Sequence, residues 1–393
     1  CANLGNQTIA LCTTLLGTSF KELQKLDLSG LRIGTKEFGS LSSAIARHRG
    51  LRDVRLAETG LSLSHAAEVV RCLTSNPNLA ALDLGWNSLG VAAFEVLGRG
   101  IVEHKNLRTL GLASTNTSSR VEGPPLLSFV ELLAGDRHLT SIDFSLNSLT
   151  DGASLVMEHA FRQHPQLQSI DVSRNVFGMQ AWRALLRLLA SPGCPELRSI
   201  KADDCGGGTV CQLIDGESLM DIDPSGRYTL NMANPVQRSI MRLFLTRVVE
   251  RAPGTPLGAV FRSCSLTAGG REERYPIETV KRSKHGVWLV PTSGELAFDV
   301  GLGPVLTRAA DLALPAPAAV RRMLCRNRIA LSGERKVLAV LSHAKGIFNE
   351  LTRVEALTAL SYDFVLTPEQ AKALCRTELE LPRNSGHDAV GSG

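Results

Sequence analysis

Aromatic residues are scarce in this chain, at 5% of its 393 residues, and no stretch approaches the roughly 18 uncharged apolar residues that a membrane-spanning helix needs. Apolar residues make up 44% and charged residues 21%, which are ordinary globular values and exclude a disordered chain. Leucine dominates the apolar set, so we expect a core built from one repeated side chain. The length predicts two or three domains or one elongated repeat array.

Neither charge nor cysteine points to nucleic acid, metal or disulfides. The 43 basic against 38 acidic residues leave a net charge of only +5, which does not imply specific nucleic-acid binding. The nine cysteines are odd in number and contain no C-x-x-C pair, and the spacing of Cys194, Cys205 and Cys211 matches no zinc module. We therefore predict reduced thiols, a cytoplasmic location, and neither a metal site nor a cofactor.

The start of the chain carries no recognisable secretory signal. Its first residue is Cys1, and the first twenty residues contain no basic segment followed by an apolar run and a small-residue cleavage site. We expect the chain to begin inside a longer protein, because residues 7–18 resemble the helix of a repeat whose strand is missing.

One sequence phrase recurs seven times in the first half of the chain, as LQKLDLSGLRIG and LAALDLGWNSLG illustrate. The copies follow one another at steps of 28, 28, 28, 32, 28 and 30 residues. Seven copies in one phase indicate a repeat architecture. The copies begin at Leu23, Leu51, Leu79, Leu107, Leu139, Leu167 and Leu197.

Each copy predicts one short strand followed by one helix. Alternating apolar residues in the phrase favour a strand that faces the core, and Phe94, Leu97 and Ile101 recur at helical spacing within Val91–Glu103. Parallel strands on the inside and wider helices on the outside give a curved horseshoe.

The copies match L-x-x-L-x-L-x-x-N/C-x-L and so resemble the leucine-rich repeat, with a 28-residue step similar to that of the ribonuclease-inhibitor-like subclass. The resemblance covers about residues 1–205 and implies an α/β solenoid that binds partners. The chain turns at the N/C position. We expect a weaker ladder of hydrogen bonds between repeats where Leu31, Thr59 or Thr115 occupies that position in place of asparagine or cysteine. The matching residues are Asn87, Asn147, Asn175 and Cys205.

Three histidines occupy one repeat position and are predicted to be structural. His48, His104 and His164 each lie three residues before the first leucine of a copy, where another copy has Asn76. This shared phase favours a turn between helix and strand over a set of ligands.

The 28-residue phase disappears after about Thr209, and the second half resembles no family. Residues 209–305 predict a small α+β module, with a strand at 228–232 and a helix that Asn234 caps. Further strands are predicted at 257–266, 286–290 and 296–300.

The remainder predicts a linker, a helical module and a disordered tail. Residues 306–317 are rich in Ala and Pro, and Ser332, Thr352 and Thr367 each begin an amphipathic run within 318–381. Residues 382–393 are predicted to be disordered. The complete expectation is an α/β fold: a curved leucine-rich-repeat solenoid, a small α+β module and a C-terminal helical module.

The repeat phase also identifies a candidate binding surface, because the residue between the two core positions of each strand faces the concave side. The Asp residues there have an alternative explanation, since Leu-Asp-Leu is common in this repeat. Trp86 lies beside the asparagine turn and cannot enter the core, and Trp and Arg frequently anchor interfaces. The predicted partner-binding residues are Trp86, Arg55, Asp83, Asp143, Leu146, Asp171 and Arg174.

No catalytic motif is evident, so we predict no catalytic residues and a role in binding. The first hypothesis is a cytoplasmic adaptor or scaffold that holds a protein partner on the concave face and joins a larger assembly such as the cytoskeleton. The alternative is a regulator of an enzyme, such as a GTPase activator, because the activator of the nuclear-transport GTPase resembles this repeat class; no residue here matches its functional positions. An enzyme within residues 209–300 and a ligand-sensing receptor are further alternatives, and the oligomeric state stays open.

Overall fold

The computed structural model describes residues 2–18, 21–116, 125–191, 193–203, 205, 226–251, 254–284, 286–301, 329–330 and 364–365. The linker predicted at 306–317 and the tail predicted at 382–393 lie outside these residues. The three helix starts predicted within 318–381 lie outside them as well.

Each of the seven repeats contributes one three-residue strand to a single parallel sheet. The strands follow chain order, and neighbours are in register, so that Leu82 lies opposite Leu110. Every strand begins two residues after the first leucine of its repeat, which confirms the predicted phase. The strands are Lys25–Asp27 (β1), Asp53–Arg55 (β2), Ala81–Asp83 (β3), Thr109–Gly111 (β4), Ser141–Asp143 (β5), Ser169–Asp171 (β6) and Ser199–Lys201 (β7).

Helices alternate with these strands and cover the outside of the sheet. Paired strands lie about 4.8 Å apart, whereas packed helices need about 8–10 Å, so the sheet forms the concave side. The helix predicted at Val91–Glu103 has these bounds, with Phe94, Leu97 and Ile101 buried. The helices are Ala2–Thr18 (α1), Thr35–Arg47 (α2), Leu63–Ser75 (α3), Val91–Glu103 (α4), Pro125–Leu132 (α5), Asp151–Phe161 (α6) and Met179–Ala190 (α7).

The asparagine at the turn joins each repeat to the one before it. The side-chain oxygen of Asn87 accepts hydrogen bonds from the N–H groups of residues 59–61 at 2.9–3.1 Å. Its nitrogen donates to the carbonyls of Leu56 and Leu84 at 2.8 and 2.9 Å. One side chain thereby satisfies buried main-chain groups of two repeats, which explains the preference for asparagine here.

Threonine replaces asparagine at two of these turns and bonds within its own repeat. The Thr59 hydroxyl donates to the carbonyl of Leu56 at 2.7 Å, and the Thr115 hydroxyl donates to that of Leu112 at 2.9 Å. The N–H of Thr115 donates instead to the Asn147 oxygen of the following repeat, at 2.9 Å. The ladder therefore continues through these repeats with support from their neighbours.

The histidines at the opposite rim have structural positions, as predicted. Nδ1 of His164 accepts the N–H of Leu167 at 3.0 Å, so its Nε2 carries the proton and donates to Asp136 at 2.9 Å. His104 accepts the N–H of Leu107 in the same way, at 2.9 Å. These side chains close the turn between helix and strand in place of main-chain bonds.

The second half contains a four-stranded antiparallel sheet covered by a long helix, and its strands lie side by side in the order Arg271–Arg274, Phe261–Ala268, Glu295–Val300 and Gly226–Asn231. Phe244 of that helix meets Tyr228 and Phe298 of the sheet, with ring centroids 4.6 and 5.7 Å apart. This confirms the mixed α/β architecture with a separate sheet after the solenoid. The elements are Gly226–Asn231 (β8), Pro235–Arg251 (α8), Leu257–Val260 (α9), Phe261–Ala268 (β9), Arg271–Arg274 (β10), Glu295–Val300 (β11), Ile329–Ala330 (β12) and Phe364–Val365 (β13).

Two of the strands predicted in this half are wrong in detail. The apolar run at 257–260 forms a single helical turn, and the strand begins only at Phe261. Residues 286–290 form no strand, and Trp288 makes one isolated bridge to Arg282. Apolar runs this short fit a helical turn and a strand equally well, and tertiary contacts decide between them.

Helix α8 docks the second half onto the outer helices of the solenoid. Glu131 of α5 contacts both Arg238 and Arg242 of α8, and Arg238 Nε lies 3.0 Å from a Glu131 oxygen. Gly152 of α6 faces Val236, where an added Cβ would lie 2.9 Å from a Val236 methyl carbon. The two halves therefore share a packed interface on the convex side.

The buried strand positions predict a local pattern of destabilisation. Leu110 is fully buried, and Leu110→Ala is expected to lower the free energy of unfolding by about 2–5 kcal/mol. Because solenoid repeats depend on their neighbours, hydrogen exchange should accelerate first in β3 and β5. Arg99→Ala, on the exposed face of α4, should change neither measurement. Acceleration spread evenly over both halves would contradict this prediction.

The shared carboxylate of Glu131 predicts a second effect. Glu131→Gln leaves the guanidinium groups of Arg238 and Arg242, whose side chains are 6% and 13% exposed, without their counter-charge. Denaturant titration should reveal a loss of about 3–5 kcal/mol, with faster hydrogen exchange in α5 and α8. Glu196→Gln removes an exposed partner of Arg198 and should cost less than about 1 kcal/mol. Equal costs for the two variants would refute a special role for Glu131.

Candidate protein-interaction surface

One row of side chains follows the middle of the concave face. We call it the strand row; it comprises the last residue of each strand, which points away from the buried leucine, isoleucine or valine before it. Sheet register sets these residues side by side, so that Arg55 lies opposite Asp83 and Asp143 opposite Asp171. The strand row is Asp27, Arg55, Asp83, Gly111, Asp143, Asp171 and Lys201.

The aspartates of the strand row have a structural task as well as an exposed charge. One carboxylate oxygen of Asp83 accepts the N–H of Gly85 at 2.9 Å, and Asp143 and Asp171 accept N–H groups two residues on at 2.8 and 2.9 Å. This side-chain turn explains why Asp recurs at the position. The second oxygen of Asp83 and of Asp143 has no hydrogen-bond partner within the described ranges.

Ion pairs engage two basic residues of the row. Arg55 Nε lies 3.6 Å from Asp53 of the same strand, and Lys201 Nζ lies 3.3 Å from Asp171 of the neighbouring strand. The hydrogen bond and the charge of Asp171 raise the pKa of Lys201, and hydrogen bonds from Ser29 lower the pKa of Asp27.

A second row lies where each strand passes into its turn, three residues after the strand row. We call it the turn row. Its five non-glycine residues all have left-handed backbone, with φ between 53° and 58°. The seventh position, Asp204, lies outside the described residues. The turn row is Gly30, Glu58, Trp86, Ser114, Leu146 and Arg174.

Bonds between repeats hold this unfavourable backbone in place. The N–H of Trp86 donates to the carbonyl of Ala113 at 2.7 Å, and Glu58 and Ser114 donate in the same way to their following repeats. A side-chain-bearing residue in the left-handed region costs about 1–2 kcal/mol, and the repeated hydrogen bonds offset that cost. The turn geometry is thus fixed by the ladder, so the side chain at each position is free to vary.

Trp86 projects from the turn row into solvent. Its side chain is 58% exposed. The next repeat presents only Gly111 and Ser114 in the two rows, and a Cβ on Gly111 would lie 2.6 Å from an Asp83 oxygen. The repeat between those of Trp86 and Leu146 therefore presents small residues in both rows.

The seven predicted residues all lie in the two rows, four in the strand row and three in the turn row. Trp86 and Arg174 are exposed, and the other five are partly buried: Arg55, Asp83, Asp143, Leu146 and Asp171. The sequence interpretation missed Asp53, the partner of Arg55, although the first residue of a strand faces the same side as the third. It also missed the structural bonds of the aspartates.

Metal-binding clusters and membrane-spanning helices were sought among the residues that the structure describes. No three His, Cys, Asp or Glu side chains there converge to hold a metal ion. None of the described helices is long and apolar enough to cross a membrane.

The repeats are similar in sequence to known proteins, although no protein-family model matches the chain. The Ran GTPase-activating protein of Drosophila melanogaster is 24% identical over 190 residues, which cover 48% of this chain and 28% of that protein. NACHT, LRR and PYD domains-containing protein 5 of Bos taurus is 31% identical over 201 residues, which cover 49% of this chain and 18% of that protein. The chain thus spans less than a third of the length of these relatives.

Among solved structures, the actin-binding site 2 of leiomodin-1 covers 38% of this chain and 84% of its own, with 13% identity and a TM-score of 0.33. A likeness at that score has no bearing on function. The in-phase sequence, the seven parallel strands with their outer helices and the sequence relatives agree with one another. This chain is a leucine-rich repeat protein.

Proposed function

We propose that this chain is an adaptor that binds a protein partner on the concave face of its solenoid, with Trp86 as the anchor. The observation that carries the proposal is a large aromatic side chain, 58% exposed, at a backbone position that disfavours any side chain. Exposed tryptophan adds nothing to the core, whereas buried tryptophan is a frequent source of binding energy at interfaces.

The surroundings of Trp86 specify the chemistry of the partner. Trp86 and Leu146 present apolar surface on either side of the repeat that carries Gly111, and Asp83 and Asp143 add negative charge in the same two repeats. A segment with an apolar side chain and a neighbouring Lys or Arg matches this arrangement. Arg174, at the edge of the turn row, favours an acidic group farther along the partner.

We extend the proposal to the cellular location of the chain and to the assembly that it joins. Cys12, Cys72 and Cys264 are thiols, and burial raises the pKa of Cys72 to about 12, so its reactivity is low. These thiols support a reducing location such as the cytoplasm. In the adaptor the second half attaches the solenoid to a larger assembly, for which the cytoskeleton is our specific candidate.

A GTPase-activating regulator is the second candidate, and the similarity to the Ran GTPase-activating protein over 190 residues favours it. The rate of GTP hydrolysis by Ran, measured with and without the full chain, separates the two candidates. An adaptor leaves the rate unchanged. Stimulation of hydrolysis at substoichiometric chain would favour the regulator.

The anchor role of Trp86 predicts a selective loss of binding. Quantitative affinity capture with the full chain should identify partners that Trp86→Ala loses and that Arg99→Ala, on the convex side, retains. For such a partner, Trp86→Ala should raise the Kd about thirtyfold, equivalent to about 2 kcal/mol. Partners captured equally by both variants would contradict concave-face binding through Trp86.

The left-handed backbone predicts the stability of the same variants. Alanine at φ 57° is as strained as tryptophan, so Trp86→Ala should leave the melting temperature nearly unchanged. Trp86→Gly relieves about 1 kcal/mol of strain, partly offset by the entropy of glycine in the unfolded chain, and should be at least as stable as the wild type. Unfolding of either variant would mean that Trp86 belongs to the core.

A further inference from the structure

Basic side chains collect along one edge of the solenoid, at the four turns that lead from a helix into β2, β3, β4 and β5. We call this edge the basic rim; it comprises residues 47–52, 75–80, 103–108 and 135–140. It lies at the start of the strands, whereas the turn row lies at their end. These turns contain six basic and two acidic residues, although residues 1–205 as a whole are balanced at 20 basic and 19 acidic. The charges of the solenoid are therefore segregated.

Five cations of the basic rim have no counter-charge. None of them forms an ion pair with a residue that the structure describes. Nη1 of Arg49 and Nη1 of Arg108 donate only to main-chain carbonyls, at 3.5 Å and 2.8 Å, which leaves both positive charges uncompensated. Arg108 is half-buried and the other four are exposed. The five cations are Arg47, Arg49, Arg52, Lys105 and Arg108.

The acidic groups nearby do not neutralise this rim. Asp136 is 1% exposed, and its Oδ1 accepts the Nε2 proton of His164 at 2.9 Å. The Asp53 carboxylate lies 3.6 Å from Arg55 Nε, within β2. Among the residues of the four turns, Glu103 carries the one exposed carboxylate. Five unpaired cations thus face a single exposed acid.

Main-chain bonds between repeats hold two of the arginines side by side. The N–H of Ala80 donates to the carbonyl of Arg52 at 2.8 Å, and the N–H of Arg108 donates to the carbonyl of Ala80 at 2.7 Å. Arg52 and Arg108 are therefore separated by two strand spacings, which is about 10 Å between their backbones.

Asparagine side chains fix the other cations at a similar spacing. Asn78 Nδ2 donates to the carbonyl of Arg49 at 2.9 Å, and Asn106 Nδ2 donates to the carbonyl of Pro77 at 2.7 Å. Lys105 directly precedes Asn106, so each turn that carries a cation is joined to its neighbour. The rim is thus a fixed array of positive charges before any partner arrives.

We propose that the basic rim binds an acidic segment of a partner protein, rich in Asp or Glu. Arginine binds carboxylates through paired hydrogen bonds, and four of the five cations are arginines. The four turns contain no Phe, Tyr or Trp on which a nucleic-acid base could stack. Their leucines are all buried, so none can enter a membrane. Recognition by charge alone suits a run of carboxylates.

Fluorescence anisotropy of a labelled twelve-residue peptide of alternating Glu and Ser, titrated with the full chain at low salt, tests the proposal. The extended peptide spans about 40 Å, enough to reach the cations of both groups. Saturable binding that weakens as salt rises is expected, and the same peptide with Gln in place of Glu should not bind. Arg52→Gln combined with Arg108→Gln should weaken binding about tenfold, because it removes two charged partners of the peptide.

Arg32→Gln combined with Arg99→Gln is the matched control, since it removes two positive charges from exposed positions outside the rim and should leave binding unchanged. Glu103→Gln removes the exposed acid of the rim and should tighten peptide binding about twofold or more. Equal weakening by the two double variants, an unchanged affinity in Glu103→Gln or the absence of saturable binding would overturn the proposal.

A twelve-nucleotide single strand of DNA and vesicles containing phosphatidylserine test the kind of partner. Both should bind less tightly than the peptide. Tighter binding of the DNA or of the vesicles, lost when Arg52→Gln and Arg108→Gln are combined, would replace the acidic segment with a nucleic acid or a membrane surface.

Discussion

In-register pairing of three-residue strands is the constraint on which the solenoid depends. A strand of this length is too short to be stable alone, and a repeat can bury its leucines only between two neighbours. Main-chain hydrogen bonds join each repeat to the next, and the side chain of Asn87 or its equivalent forms further hydrogen bonds between the same repeats. Because the pairing has no offsets within the repeats, it also sets the spacing of the strand row and the turn row.

Periodicity is the part of this structure that sequence reveals most directly. A leucine phase repeated seven times predicts a strand near the first leucine of every copy, since every copy must present the same face to the core. It also places Trp86 outside the core, because the alternation of a strand leaves no inward position there. The hydrogen bond from the Gly85 N–H to Asp83 is local, yet the sequence does not predict it, because the repeat pattern is the same for an Asp that only faces solvent and for one that forms a turn.

The second half was less predictable for physical reasons. Its strands are not repeated, so no phase distinguishes the helical turn at Leu257–Val260 from the strand that follows. Glu131 and Arg238 are separated by 107 residues, and nothing local in either sequence segment indicates that they meet. The docking of helix α8 therefore could not be inferred before the structure.

Helix α8 packs against α5 and α6, and Glu131 fastens two of its arginines to the solenoid. A repeat array bends through small rotations between successive repeats, so the flexibility of the whole solenoid is the sum of the flexibilities of its interfaces. The contacts of α8 restrain the rotation between the repeats that carry α5 and α6. Under a pulling force the earlier repeats therefore yield first, and the part of the horseshoe that carries Leu146 keeps its curvature.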